Sequence, residues 1–486
     1  MKPVTSAAPS MPVSHRWTNG WGGGKWGKGK RECPFYKRVP GTSFVVDAFS
    51  YGGVPGATGY FLTHFHSDHY GGLTSSFAHG TIYCSPVTRA LVLLQLRVDE
   101  TRIVALPIGE EVDIMDAGLA KGGTRTGRTI KVTLMEANHC PGSVLMLFKV
   151  PNTLPNSPPY IYLHTGDMRA HRSHLEIPVL RSLHRIDALF LDTTYCRPQY
   201  RFPPQDEVIG DAWRDARAKA AKVAESGPDD SAVSEESLPQ KPTGLLGWLK
   251  ITPRQQSASL VSKASRIQPL NAFTRLLSST PRTLIAVGAY QIGKERLFKA
   301  LAISLRTSIF SPDSHKRRVL RTLGDQELTR LIVDDPRRAC VHVVGMGKVD
   351  KDGALEALEF ANARGGSFGR VVAIRPTGWT WGGKGHQTAK VERSGQFSVR
   401  DLRPYLAHPK VTVVPLPYSE HSSFDELEMF VTGLSKHPGV RKVVPTVGSG
   451  QGWKEIQRLC DMFRTAGESS PPVANDAILP PVTELE

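Results

Sequence analysis

His64, His66, Asp68 and His69 place four potential metal ligands within six positions of the stretch YFLTHFHSDHYGGL, residues 60–73. Imidazole nitrogens with a carboxylate are a donor set that suits zinc. The apolar run Tyr60, Phe61, Leu62 reads as a buried strand stopping at Thr63, so the cluster reads as a loop at that strand's end. His64 and His66 lie two apart and lean toward one side of an extended backbone. Asp68 and His69 follow a turn and face a second point in space. One short loop therefore feeds two metal positions. A binuclear site about 3.5–4 Å wide clamps the attacking and leaving oxygens of a hydrolytic displacement. A lone histidine is more often structural, but three with an aspartate behind an apolar strand reverse that reading.

The elements that must hold such a site repeat one design, a strand followed by a ligand. A strand over residues 43–47 ends at Asp47, a carboxylate placed to orient a neighbouring ligand. A strand over 129–136 runs into Asn138, His139, Cys140, Pro141 and Gly142. The strand beginning at Tyr160 leads to Gly166 and Asp167, where a carboxylate can bridge two cations. Leu189–Leu191 leads to Asp192, Thr193 and Thr194. Near the C-terminus, a strand over 411–416 reaches Tyr418, Ser419, Glu420 and His421, and Ser423 caps a helix over 424–434.

A second region alternates strand and helix, which points to a small α/β domain with a parallel sheet. The strand 283–290 contains Gly288 and ends at Tyr290; Gly293 and Lys294 then open a helix over 295–305. A Gly-flanked turn at a helix N-terminus is an anion site, with Lys294 as an added cation. The phosphate-loop spacing is missing. The strand 340–344 carries His342, a helix follows over 355–363, and the strand 371–375 ends in Pro376, Thr377, Gly378 and Trp379. Those last residues are of types that meet a phosphate or a base.

The 486 residues allow two or three domains or one core with a large insertion. Net charge is +16, with a pI near 9.6, which favours a polyanionic partner such as nucleic acid. No apolar run reaches the ~18 residues needed to span a bilayer. The six cysteines are scattered, as expected of free thiols in a reducing compartment. Residues 1–31 contain no Asp or Glu and read as a disordered basic tail. Residues 209–223 look helical. Residues 225–282, Ser- and Pro-rich, read as a low-complexity insertion with a short helix near 270–277.

The segments HFHSDH, NHCPGS, TGDMR, LDTTYC, GAYQIGKE, RPTGW and YSEHSS occur in that order. In this they resemble a metallo-β-lactamase domain interrupted by a β-CASP domain. With the opening CPFYKRVPGTSFVVDAF, they resemble the DNA interstrand cross-link repair branch, which includes Artemis. The resemblance implies an α/β fold, the αββα sandwich with an inserted β-CASP α/β domain. It divides the chain into a tail (1–31), the first part of the sandwich (32–196), the β-CASP domain (197–385), the returning part (386–466) and a tail (467–486).

By resemblance, one zinc takes His64, His66, His139 and Asp167. A weaker second metal, zinc, magnesium or manganese, takes Asp68, His69, Asp167 and His421. Asp47 and Asp192 orient the ligands. Asp68, Asp167, Asp192, His342 and His421 carry the catalytic roles. Thr194, Gly288, Tyr290, Lys294, Thr377, Gly378 and Ser419 seat a substrate phosphate. The implied function is a nuclear, monomeric, zinc-dependent DNA nuclease with no membrane association. It acts as a 5′→3′ exonuclease on 5′-phosphorylated single- or double-stranded DNA in cross-link and double-strand break repair, alongside repair or replication proteins. The alternatives are a structure-specific endonuclease of the Artemis kind and an inactive DNA-end-binding scaffold.

Overall fold

Alternating side chains in short strands build the centre of the molecule. The computed structural model describes residues 32–118, 127–152, 154, 156–209, 282–380, 405–448 and 450–468. The basic tail, nearly all of the helix expected over 209–223 and of the insertion, and the C-terminal tail past 468 lie outside the described residues. Strands β1 (Phe44–Val46), β2 (Gly59–Phe61), β3 (Thr81–Cys84) and β4 (Ile103–Ala105) form a parallel sheet in that order. A six-stranded sheet packs against it. It contains β5 (Glu111–Asp116), β6 (Arg128–Glu136), β7 (Val144–Val150), β8 (Tyr160–His164), β9 (Ala188–Leu191) and β16 (Val443–Pro445), in the order β16-β9-β8-β7-β6-β5.

The period-2 pattern sorts each strand's residues into layers. Phe44, Val46 and Phe61 join Leu134, Met146, Phe148 and Phe190 between the two sheets. Phe61 stacks on Tyr83 at 4.9 Å and meets the edge of Phe148 at 5.0 Å. Fully burying each such side chain contributes about 1.5–3 kcal/mol. The intervening Val45, Tyr60 and Leu62 face outward, where Leu91 and Val92 of the helix Pro86–Leu96 share their cluster. That helix starts well: Ser85 accepts the Thr88 N–H, and proline sits in the first turn. On the far side, Leu145, Leu147, Leu189 and Leu191 pack with the helices Phe424–Lys436 and Gly450–Gly467. The layers therefore run helix, sheet, sheet, helix.

A third sheet is inserted between β9 and β16. It comprises β10 (Arg282–Ala289), β11 (Ser308–Phe310), β12 (Ala339–Gly345), β13 (Phe368–Pro376), β14 (Tyr405–His408) and β15 (Val411–Leu416), ordered β11-β12-β10-β13-β15-β14. All its pairings are parallel except β14 with β15. The helix Lys351–Ala363 covers one face, with Ala354, Leu358 and Ala361 inward. Ile285, Val287, Leu297 and Phe298 join the cluster that also holds Tyr60 and Leu62, so the inserted sheet and the sandwich share a core. The expected return to the sandwich at 386 is corrected by pairing. β15 runs beside β13 from Val371↔Val411 to Pro376↔Leu416, so the inserted sheet extends to Leu416.

Candidate metal centre

Most ligand candidates sit just past a strand end, Asp68 and His69 in the short helix Ser67–Tyr70 that follows one, and a single carboxylate oxygen lies among four imidazoles. Asp167 Oδ2 is 3.1 Å from His69 Nε2, 3.7 Å from His64 Nε2, 3.8 Å from His421 Nε2 and 3.9 Å from His139 Nε2. His66 Nδ1 lies 2.9 Å from His64 Nε2 and 3.1 Å from His139 Nε2. Among the described residues three ligand groups result: His64, His66, His139 and Cys140; His64, His69 and Asp167; His139, Asp167 and His421.

The outward nitrogen of each imidazole is tied to an acceptor. His139 Nδ1 donates to the Glu420 carbonyl at 2.9 Å, and His66 Nε2 to the Ile292 carbonyl at 3.3 Å. A carbonyl only accepts, so these nitrogens carry the hydrogens. His69 Nδ1 donates to Asp47 Oδ2 at 2.7 Å and His421 Nδ1 to Asp192 Oδ2 at 2.8 Å. His64 Nδ1 meets Thr63 Oγ1 at 3.0 Å, and that hydroxyl donates to Asp47 Oδ2 at 2.7 Å. In the neutral rings the inward nitrogens are bare lone pairs. Those of His66 and His139 face each other at 3.1 Å, which is repulsive without a cation between them. Ligands on a tetrahedral zinc with ~2.0–2.1 Å bonds lie about 3.3 Å apart, so the donor set fits a metal ion.

Protonation reflects the same crowding. Burial, then the neighbouring imidazoles, hold His64 and His139 well below the usual histidine range. Burial opposes charge on His69 and His421 too, but carboxylates win. Asp167 and Asp47 hold His69 well above its ordinary value, and Asp192 and Asp167 push His421 to about 9. Asp167, although buried, is held well below the carboxylate range by His69 and His421.

The orienting carboxylates are themselves fixed. Asp47 Oδ1 accepts the Thr63 N–H at 2.9 Å, from a backbone with φ of 50°. Asp192 Oδ2 also accepts the Met168 N–H at 3.1 Å, and its Oδ1 accepts the Thr194 N–H and hydroxyl at 3.0 and 2.7 Å. Arg169, buried, donates to the Ser419 carbonyl at 2.8 Å and ion-pairs with Glu426, anchoring the loop that carries His421.

A family model described as DNA repair metallo-β-lactamase matches residues 326–451, from a helix of the inserted domain through His421 to the last helix. The chain is 35% identical over 431 residues to the DNA cross-link repair protein SNM1 of Arabidopsis thaliana, covering 88% of this chain and 69% of that protein. It belongs to the metallo-β-lactamase/β-CASP family of DNA cross-link repair proteins. The DNA cross-link repair 1A protein of Homo sapiens is 33% identical over 439 residues, covering 90% of this chain and 32% of that protein. The 5′ exonuclease Apollo of Danio rerio is 27% identical over 416 residues, covering 85% and 52%. The chain thus spans about a third of the human family member's length and about half of the zebrafish one's.

Other expected site residues of this family member lie further out or elsewhere. Asp68 is at the rim, its side chain 69% exposed and 3.8 Å from His69 Nε2, and it joins none of the three ligand groups. Tyr290 is 54% exposed, and its hydroxyl feels the charges of Asp68, Glu420 and Arg375. Ser419 Oγ accepts the His421 N–H at 3.0 Å, and Thr377 Oγ1 accepts the Trp379 N–H at 3.2 Å.

Four expectations are corrected. Lys294 is buried and ion-paired with Glu420 at 2.8 Å, so it is not a free cation for phosphate. The helix N-terminus beside it is filled by the protein's own carboxyls: Glu420 accepts the Lys294 N–H and Glu295 the Gly293 N–H. Gly288 serves packing, since a Cβ there meets Val349 at 3.0 Å. His342 lies in the middle of β12 with Phe310 at 4.9 Å and Phe368 at 6.2 Å, away from the cluster; burial lowers its pKa to about 4. The Thr194 hydroxyl is committed to Asp192.

The sequence reading missed an aromatic step beside His421. The Tyr195 ring lies 6.1 Å from His421, 5.0 Å from Trp379 and 5.0 Å from Tyr200. Gly378 permits the approach, because a Cβ there meets Tyr195 Cζ at 2.8 Å. Trp379 remains 60% exposed. Tyr195 stands inside LDTTYC, which singles out Asp192 and gives an aromatic three residues later no separate signal.

Proposed function

We propose that the chain is a zinc-dependent DNA nuclease that removes nucleotides 5′→3′ from 5′-phosphorylated ends, working in the nucleus in cross-link repair. One observation carries the reading: five imidazoles with outward nitrogens tied off turn their inward nitrogens on Asp167 and one another. By the family resemblance, His64, His66, His139 and Asp167 would hold one zinc, and His69, Asp167 and His421 would hold a second metal. Bound metal lowers the pKa of water toward ~7 and neutralises charge developing on phosphoryl oxygens.

The chain's own residues do the rest. Asp47 and Asp192 keep His69 and His421 aimed inward. Asp167 is enclosed by imidazoles, so the exposed Asp68 carries the proton to solvent. Tyr290, near enough to Arg375 to feel its charge, takes the 5′-phosphate with it in place of Lys294. The exposed Trp379, backed by the buried Tyr195, gives an unpaired terminal base a surface to stack on. The 5′ direction is supported by the name of the zebrafish relative, and the DNA substrate by the names of the Arabidopsis and human relatives and by the net charge of +16. The test is hydrolysis of single-stranded DNA by the intact protein and by Asp167→Asn. Activity removed by chelator and absent in the variant supports the reading; cleavage equal in both overturns it.

A further inference from the structure

The metal-ligand imidazoles are oriented from both sides of one buried ion pair. Lys294 Nζ lies 2.8 Å from Glu420 Oε2, with side chains 7% and 6% exposed. The Lys294 N–H also donates to Glu420 Oε1, and Lys294 Nζ lies 5.6 Å from the Tyr418 ring centre. On the sandwich side, the carbonyl of Glu420 itself accepts from His139 Nδ1 at 2.9 Å. On the inserted side, the carbonyl of Ile292, two residues before Lys294, accepts from His66 Nε2 at 3.3 Å. Lys316 holds the same turn from beneath, donating to the carbonyls of Tyr290 and Gln291. Gly293 at φ 103° lets the turn close on the carboxylate, since a Cβ there meets Glu420 Oε2 at 2.7 Å.

We propose that Lys294 and Glu420 are positioning residues: their pair joins the inserted sheet to the sandwich and fixes the two carbonyls that aim His66 and His139 at the metal. The inserted domain is thereby part of the metal centre's support. A buried pair with one partner removed leaves an uncompensated charge, so the joint loosens when either residue is neutralised. Loss of an outer partner of a ligating histidine weakens metal binding by about 10–100-fold. The inference rests on the metal-centre reading above.

The test is zinc affinity by chelator competition, with the visible spectrum of the cobalt-loaded protein as a second readout of ligand geometry. Lys294→Met and Glu420→Gln are compared with intact protein and with Lys299→Met. Lys299 pairs with Asp325 and Glu327 at 2.7 and 2.8 Å within the inserted domain, remote from any ligand carbonyl. Glu420→Gln is the milder change, because an amide oxygen can still accept the Lys294 N–H; folding is checked by circular dichroism and gel filtration. The expected result is about 10–100-fold weaker zinc binding and an altered cobalt spectrum in both joint variants, with Lys299→Met unchanged. Zinc affinity within twofold of intact protein in folded Glu420→Gln overturns the proposal, as does an equal loss in Lys299→Met. Failure of the intact protein to bind zinc overturns the metal-centre reading instead.

Discussion

Asp47 Oδ2 lies 2.7 Å from His69 Nδ1 and 2.7 Å from the Thr63 hydroxyl, so one buried oxygen aims two neighbouring ligands. Asp47→Ala removes the acceptor for His69 and strands the Thr63 N–H and hydroxyl. Each buried group left unpaired costs about 1–3 kcal/mol. Metal affinity falls about 10–100-fold. Asp47→Asn tolerates the positive φ and retains an acceptor, so it loses less stability. Chelator competition and thermal melts of the two variants check this order.

The pH dependence of the metal-free protein follows from His421 and His69. Both have folded pKa values raised above the ordinary 6.5, that of His421 to about 9. A raised histidine contributes stability that is fully present below its unfolded pKa and lost as pH climbs through the folded one. Chelator-treated protein should therefore lose stability from about pH 6.5 to about 9, on the order of 3 kcal/mol from His421. Zinc replaces these protons, so the loaded protein should lack the decline. Denaturant melts across that range, with and without zinc, measure the difference.

Trp379→Ala should raise KM on single-stranded DNA while leaving kcat nearly unchanged. Stacking of one base is worth about 1–3 kcal/mol, roughly 5- to 150-fold. Trp379→Phe should retain most of the binding, and a substrate with an abasic terminal nucleotide should be insensitive to the change. Steady-state kinetics on the two substrates check it.

Phe61→Ala should destabilise the fold by about 3–5 kcal/mol. Its ring lies between the sheets against Phe44, Tyr83 and Phe148, three residues ahead of His64. Denaturant unfolding measures the loss.

Metal chemistry made part of this site legible. His64, His66, His139 and Asp167 announce themselves by residue type at the ends of apolar strands, and alternation in Phe44, Val45 and Val46 marks two packed faces. What supports the ligands did not show. Ile292 and Glu420 act through backbone carbonyls, which carry no residue-type signal. Lys294 looked like a phosphate cation because its neutralising partner lies 126 residues away. The catalytic role expected of His342 rests on family resemblance alone; its ring is instead packed against Phe310. The end of the insertion was misplaced because a strand pattern does not say which sheet it joins; only the pairing of β15 with β13, and of β14 with β15, assigns them to the inserted sheet.

The most direct measurement uses single-stranded DNA labelled at its 3′ end and carrying either a 5′-phosphate or a 5′-hydroxyl. Intact protein and Asp167→Ala are compared with and without chelator. The predicted result is stepwise shortening from the 5′-phosphorylated end, abolished by chelator and by the substitution. Internal cuts indifferent to the 5′ group contradict the end-recognition claim, and cleavage that survives both chelator and Asp167→Ala contradicts the metal centre itself.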